Sequence, residues 1–341
     1  MKNISLISSL LLCLLAFGQK ENRYTRTNTT APVITYSQDL SYSRSLIVDG
    51  EQVFLASSNG SLFQYNLITG ATKNLMRGRN FEEMRDIALV DSKLVGMQSG
   101  KSGLIALMDT THFIKFCYPQ KKVEWMGVFL DGMDFSGKTG FMMGDPIKGF
   151  FSLYLTKDGG STWQLCEGKI AALEGEAGFA ASGTNVQVLN DSTFMFVSGG
   201  SKSRLFRSVD TGKNWETFEI PFLKGAASGA FSLYFKDLNN GVVVGGDYEN
   251  PTLSKNNCYF TNDGGKFWVN PKEQVHGYRS CVIEKNEVLY ACGTTGIDYS
   301  TDFGNTWIPF AYGNYFSLAT NGTHLFATIP KGSFQQFKLI K

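Results

Sequence analysis

Histidine is scarce in this chain, with only His112, His276 and His324 in 341 residues. That leaves little material for a multi-histidine metal site, so no metal is expected. There is no Cys-x-x-Cys pair among the six cysteines. Neither sign of charge dominates: 32 basic residues stand against 30 acidic ones. A nucleic-acid binder usually carries a basic footprint, so nucleic acid is not an expected partner. Long hydrophobic runs are absent beyond the start, and no transmembrane segment is expected after that start is removed. No long stretch with a 3.6-residue apolar period is present, so long amphipathic helices are excluded. There is no Gly-x-Gly-x-x-Gly between a strand and a helix, no haem motif, and no Gly-x-Ser-x-Gly elbow. These absences argue against dinucleotide cofactors, against any other cofactor, and against serine-hydrolase chemistry.

What the chain does have is a repeat. The pattern Ser/Thr-x-Asp-x-Gly-x-x-Trp occurs four times: Thr156 to Trp163, Ser208 to Trp215, Thr261 to Trp268 and Ser300 to Trp307. Four of the five tryptophans fill this slot, at spacings of 52, 53 and 39 residues. Recurrence at roughly 40–50 residues marks a repeat architecture. Each position has a physical task. The hydroxyl residue ends one strand and the tryptophan starts the next. Asp158, Asp210, Asp263 and Asp302 can accept backbone N–H bonds and hold a tight turn. Gly160, Gly212, Gly265 and Gly304 supply the positive φ that a Cβ resists. Trp163, Trp215, Trp268 and Trp307 bury large rings against a neighbouring sheet. These residues are therefore assigned to architecture, and a catalytic reading of the four aspartates is rejected.

The pattern is that of the Asp-box hairpin, and the chain resembles the Asp-box (BNR-repeat) β-propeller families. That resemblance implies that each box joins the two outer strands of a blade, away from the central channel. Short β-type runs such as Gln52 to Ser57, Thr193 to Ser198 and Gly241 to Gly246 alternate with Gly/Asn/Asp turns almost to the end. The 37 glycines and 27 phenylalanines suit many tight turns and packed sheets. Degenerate box-like turns precede the four boxes, at Asn66 to Thr72 and at Met108 to Phe113. A final unit, Tyr315 to Ile340, has none. The expected fold is all-β: one seven-bladed β-propeller over 33–341, with six or eight blades as alternatives. Val33 to Tyr36 is expected to add a strand to the last blade and so close the ring.

Ahead of this domain, one lysine, an apolar run from Ile4 to Phe17, and small residues at Ala16 and Gly18 read as a signal peptide over 1–18. Cys13 is not expected to be lipidated, because Leu10-Leu11-Leu12 lacks the small residue that such a site needs. Residues 19–32 read as a flexible polar leader. The protein is thus expected outside the cytoplasm, in the periplasm or at the cell surface, as a monomer. Cys281 and Cys292 flank a hairpin whose turn centres on Asn286 and Glu287. They either form a disulfide in an oxidising compartment or sit side by side as small buried residues.

With the boxes on the rim, function falls to the polar stretches between them. These are 143–146, 173–185, 199–204, 245–251 and 277–280, each near an end of an expected inner strand. They offer Asp145, Glu176, Ser182, Arg204, Asp247, Tyr248, Tyr278 and Arg279 as candidate ligand-binding or partner-binding residues around one channel mouth. The bland alternative is that the aspartates cap turns while the arginines pair with carboxylates. A closer resemblance rests on Gly144-Asp145-Pro146, Gly175 to Thr184, Gly245 to Tyr248 and Gly277 to Ser280. Over about Trp125 to Asp302, the chain resembles exported bacterial proteins similar to the photosystem II stability/assembly factor. This group implies a seven-bladed propeller outside the cytoplasm but no single chemistry. Its members are often loosely labelled oxidoreductases or glycosyl hydrolases, and the photosynthetic namesake is a protein-binding assembly factor. Nothing in these residues carries photosystem binding over.

The expected role is therefore non-catalytic: a scaffold or assembly factor that engages an envelope protein, or an extracellular glycan, at the channel mouth. The alternative is a glycoside hydrolase using a carboxylate pair from Glu174, Glu176, Asp145 and Asp247. Against a sialidase, the early Phe-Arg-Ile-Pro motif is absent, and Arg44 and Arg85 stand in no comparable setting. Against the two-domain glucanases, the chain has length for only one propeller.

Overall fold

The structure is a computed structural model. It describes residues 31–37, 41–76, 82–100, 103–108, 114–117 and 128–340. The expected signal peptide, nearly all of the leader, Cys13, and the degenerate turn at 109–113 lie outside the described residues.

Every element of the described residues is a strand, and the strands form seven antiparallel sheets. Six sheets follow one another along the chain, at 43–74, 84–117, 130–165, 186–220, 228–261 and 281–311. They are blades 1 to 6. Blade 7 takes Leu318–Thr320, His324–Ile329 and Ser333–Lys338, and its fourth strand is Val33–Thr35 from the other end of the chain. Ile34 lies opposite Phe334 in that pairing. The seven-bladed propeller and its closure by the first strand are as the sequence implied.

Ring closure is also visible in the packing. Seven apolar clusters fill the seven gaps between adjacent blades, including blade 7 against blade 1 through Phe326, Phe334, Leu46 and Leu55. Burial of these faces against one another is the main force holding the ring. Inner strands of neighbouring blades do not pair, so side chains join them. Ser45 Oγ accepts from Ile87 N at 3.3 Å, Asp86 Oδ2 from Met133 N at 2.9 Å, Asp134 Oδ2 from Val188 N at 2.7 Å and Ser232 Oγ from Val282 N at 2.8 Å. Each contact occupies a buried backbone donor that no ladder reaches.

All four boxes connect the third and fourth strand positions of their blades, with one hydrogen-bond pattern. In blade 4, Asp210 Oδ1 accepts from Ser208 Oγ at 2.8 Å and from Asn214 N at 2.9 Å, while Gly212 N donates to Ser208 Oγ at 2.9 Å. Gly212 has φ +80°, which an L side chain rarely adopts. These bonds, led by the one from Asn214 N, hold the Asp210 carboxyl down at about 2. Each box tryptophan packs toward the preceding blade. Trp307 is 1% exposed and Trp163 6%, whereas Trp215 and Trp268 are only partly buried. In blade 1, Asn66, at the position of the box Ser/Thr, holds the corresponding turn by itself: its Oδ1 accepts from Ile68 N at 3.0 Å and Thr69 N at 2.8 Å.

Cys281 and Cys292 lie opposite one another in register, both fully buried, and both are free thiols. The turn between their strands has positive φ at Asn286 and Glu287, as its length required.

Candidate functional site

The first strand of every blade contributes to the wall of a central channel. One cavity there, of about 290 Å³, touches all seven, from Ser45 and Leu46 in blade 1 to Ser317 and Leu318 in blade 7. Because successive strands run antiparallel, the starts of the inner strands share one mouth with the loops that follow the second strands. The box hairpins lie at the opposite end.

A strap crosses this channel. Residues 173–185 connect blade 3 to blade 4. Instead of running along the rim, they reach the inner strands of distant blades. Arg85 Nη1 of blade 2 donates to Ala180 O at 2.6 Å, and Arg44 Nη1 of blade 1 donates to Ala181 O at 3.4 Å. Ser182 Oγ donates to Ser280 O of blade 6 at 2.7 Å, and the Thr184 and Ser232 hydroxyls lie 2.5 Å apart. Gly183, at φ +78°, passes so close to the Asp86 carboxylate that a Cβ there would overlap it. The strap is tethered at its start, where Glu176–Ala177 pairs with Gly199–Gly200 beside blade 5. Phe179 lies on Phe231 with centroids 4.2 Å apart and planes 4° from parallel.

Above the strap, the mouth holds a cavity of about 330 Å³. Its walls include Arg44, Arg85, Phe179, Phe231, Tyr248, Tyr278, Thr294 and Phe316. Three of these residues owe their aim to a repeated irregularity. The pairing of first and second strands skips one residue at Arg44, at Arg85 and at Phe231 in their respective blades, and at Asp131 in blade 3. A β-bulge recurs at one position in four blades, and in three of them it brings the bulged side chain, Arg44, Arg85 or Phe231, into the wall of the mouth cavity, while Asp131 stays buried.

The electrostatics are uneven. Glu83 Oε2 lies 2.6 Å from Arg85 Nη2, and Glu83 Oε1 lies 3.8 Å from Arg44 Nε. Burial lowers the Arg85 pKa from its usual value, and the neighbouring Arg44 charge adds to that; Glu83 opposes it. Asp131 is 1% exposed, and neither of its carboxylate oxygens has a hydrogen-bond partner. Burial, with Asp145 nearby, pushes its carboxyl well above the usual range. Burial likewise raises Asp86 to about 7 and Asp134 to about 6.

Of the residues that the sequence nominated, Tyr248 and Tyr278 line the cavity. Tyr248 is 47% exposed, and Tyr278 stands edge-on to Phe231 at 4.8 Å. Asp145 Oδ1 accepts from Gly178 N at 3.1 Å and so holds the strap, while Ser182 lies within the channel wall. The others do not line the cavity. Glu176, its side chain fully buried, is clamped by Arg204, whose Nε donates to Oε1 at 2.7 Å while Nη2 bonds Oε2. Arg279 turns into blade 6: its Nε and Nη2 lie 2.8 and 2.6 Å from Asp298 Oδ2, and the residue is 1% exposed. Asp247 caps its own loop through Glu249 N at 2.9 Å and Asn250 Nδ2 at 2.9 Å. The expected gathering of Asp145, Glu176, Arg204, Asp247, Tyr248 and Arg279 around one mouth is thus corrected. Desolvation decides it: a buried arginine beside a buried carboxylate pairs before it can serve solvent.

Sequence reasoning set aside Arg44 and Arg85 and missed Phe179, Phe231 and Phe316. A signal was present. Arg44-Ser45-Leu46, Arg85-Asp86-Ile87, Phe231-Ser232-Leu233 and Phe316-Ser317-Leu318 share one pattern of large residue, small or acidic residue, aliphatic residue. Aligning the inner strands on it would have put these side chains in one ring.

Comparison with known proteins adds the following. A family profile described as Sortilin-Vps10 (sortilin, neurotensin receptor 3) matches residues 151–292, the region carrying three of the four boxes. No curated protein matches the chain. Among solved structures, the WD40 β-propeller domain of Doa1 is 11% identical over 91% of this chain and 97% of its own, with a TM-score of 0.64. A catalytically inactive virginiamycin B lyase from Staphylococcus aureus is 10% identical over 91% of this chain and 99% of its own, with a TM-score of 0.61. PorZ, a surface component of the type-IX secretion system of Porphyromonas gingivalis, is 13% identical over 90% of this chain and 38% of its own, with a TM-score of 0.57. At these identities the likeness is one of fold.

Proposed function

We propose that this propeller is an exported, non-catalytic binding module that engages a protein of the cell envelope at its channel mouth. The observation that carries this reading is the mouth cavity: two arginines and five aromatic rings converge on it, and its lining has no carboxylate among the described residues. Concave sites with apolar walls and few polar groups are the usual form of a binding site. Glycoside hydrolysis by the paired-acid route needs two carboxylates facing an open pocket. Here Glu176 is already clamped by Arg204, Asp247 caps a loop, and Asp131 lies buried behind Gly178. Export is supported by the leading 18 residues and by the resemblance to exported proteins similar to the photosystem II stability/assembly factor. A propeller of similar fold, PorZ, is a bacterial surface component.

Affinity capture from envelope extract, read by mass spectrometry, tests this. Wild type should retain specific proteins that an Arg44→Gln/Tyr248→Ala variant loses while keeping its thermal midpoint. Equal capture by both would move the site away from the mouth. A glycan panel run alongside should be blank, and hydrolysis of any panel member would restore the glycosidase reading.

A further inference from the structure

The mouth cavity has a chemistry specific enough to name its ligand class. Resting on the reading above, we propose that it binds a small monoanion carrying a flat apolar ring, such as an arenecarboxylate. The anionic group is held by Arg44 and Arg85, and the ring lies among Phe231, Tyr248 and Phe316.

The charge balance points to an anion. Two guanidiniums share one carboxylate, that of Glu83, which sits at 2.6 Å from one and 3.8 Å from the other. Asp131 supplies no second ion pair: among the described residues neither guanidinium lies within 4 Å of its carboxylate, whose oxygens have no hydrogen-bond partner, and burial raises its pKa well above the usual range. One positive charge is therefore left in a half-buried, aromatic-walled site, where an unpaired charge is costly and a matched anion is favourable. The guanidinium of Arg44 has donors to spare. Of five N–H groups, one makes a 3.4 Å bond to Ala181 O, and its Nε has no hydrogen-bond partner. Nearby, Thr294 Oγ1 is buried without a partner and belongs to the same cavity wall.

The walls point to a flat ring. The Arg44 guanidinium carbon lies over the Tyr42 and Phe316 rings, 5.0 and 5.7 Å from their centroids, which restrains a group able to meet a carboxylate with two parallel N–H bonds. Phe231 lies under Phe179, with Tyr248 and Tyr278 edge-on to it at 6.2 and 4.8 Å. Rings in this arrangement accept a further ring, stacked or edge-on. A volume of about 330 Å³ sits at the small end of ligand pockets, which suits one ring and one anionic group.

Sodium benzoate is the probe, with benzyl alcohol, benzamidine and acetate as controls, read by saturation-transfer NMR and calorimetry on the full chain. Benzoate should bind saturably and weaken with added salt. Benzyl alcohol and acetate should bind more weakly, and benzamidine not at all. Arg44→Gln should weaken benzoate about tenfold, as loss of a charged hydrogen bond does, with Arg44→Lys intermediate. Tyr248→Ala, at an exposed ring outside the apolar cores, should weaken it without moving the thermal midpoint. No saturation, equal binding of benzyl alcohol, or indifference to both Arg44→Gln and Tyr248→Ala overturns the proposal. Adding benzoate to the envelope capture locates the source of the anion. Competition means that the partner itself carries the ring and anion; simultaneous binding means that the anion is a free ligand. If benzoate fails while capture still depends on the mouth, this inference falls and the binding-module reading stands.

Discussion

The box aspartates of the rim and the aspartates of the channel are the same side chain under opposite conditions. Asp210 meets solvent and collects N–H and hydroxyl donors from its own turn, so its charged form is favoured and its pKa falls to about 2. Asp86 is 3% exposed and accepts from Ile87 N and Met133 N, each at 2.9 Å. Those bonds do not match the hydration it has lost, and its pKa rises to about 7. Identity of residue therefore says little about role. Local donors make the rim aspartate a turn clip, and burial makes the channel aspartate a bridge between blades.

The largest effect expected from breaking this contrast comes from the ring that a rim clip holds in place. Trp307→Ala should cost about 3–5 kcal/mol in equilibrium denaturation, the range for deleting a buried large aromatic. Trp215→Ala, at a partly exposed ring, should cost clearly less. Equal losses would mean that burial between blades is not what the box secures.

A pH-dependent difference should come next. Asp86 has its folded pKa raised above the usual 3.8, so the folded state binds more protons than the unfolded between about pH 4 and 7. Stability should fall as pH climbs through that window, and Asp86→Asn should flatten the fall. Asp210 has the opposite sign. Its contribution is present above about pH 4 and is lost as pH drops toward 2, so Asp210→Asn should differ from wild type in slope only in that acid range. Thermal midpoints recorded from pH 2 to 8 separate the two. A single shared window would erase the distinction between rim and channel.

The smallest effect is the clip itself. Asp210→Ala removes acceptors for Lys213 N and Asn214 N in an exposed turn, which should cost about 1 kcal/mol, as loss of a helix cap does. A loss as large as that from Trp307→Ala would make the turn, not the ring, the anchor.

Much of the fold was legible because its signal is local. An eight-residue box carries its own hydrogen bonds, so four copies identify four outer hairpins wherever the chain goes next. Val33 as the closing strand followed from the need to leave no open sheet edge. The site was read less well. Glu176, Arg204, Asp247 and Arg279 have the composition of a polar mouth, yet three of them are consumed by buried pairs and the fourth by its own turn. Arg44 and Arg85 sit in strands that look ordinary, and a one-residue bulge in pairing turns them inward. Nothing in 173–185 says that it crosses the channel; its partners are residues about 100 and 140 positions away, among them Arg85, Ser280 and Arg44.

By itself the sequence determined the blade unit, the number of box hairpins and the alternation that makes every blade an antiparallel sheet, because these depend on contacts within a few tens of residues. Only the tertiary structure decided what the channel contains. Ring closure brings seven inner strands to one axis. It strips water from Asp86 and Asp131, forces Arg279 onto Asp298, and draws the strap across, leaving Arg44 and Arg85 facing a cavity with one carboxylate between them. Desolvation and pairing act on neighbours in space, and those neighbours exist only once the ring has closed.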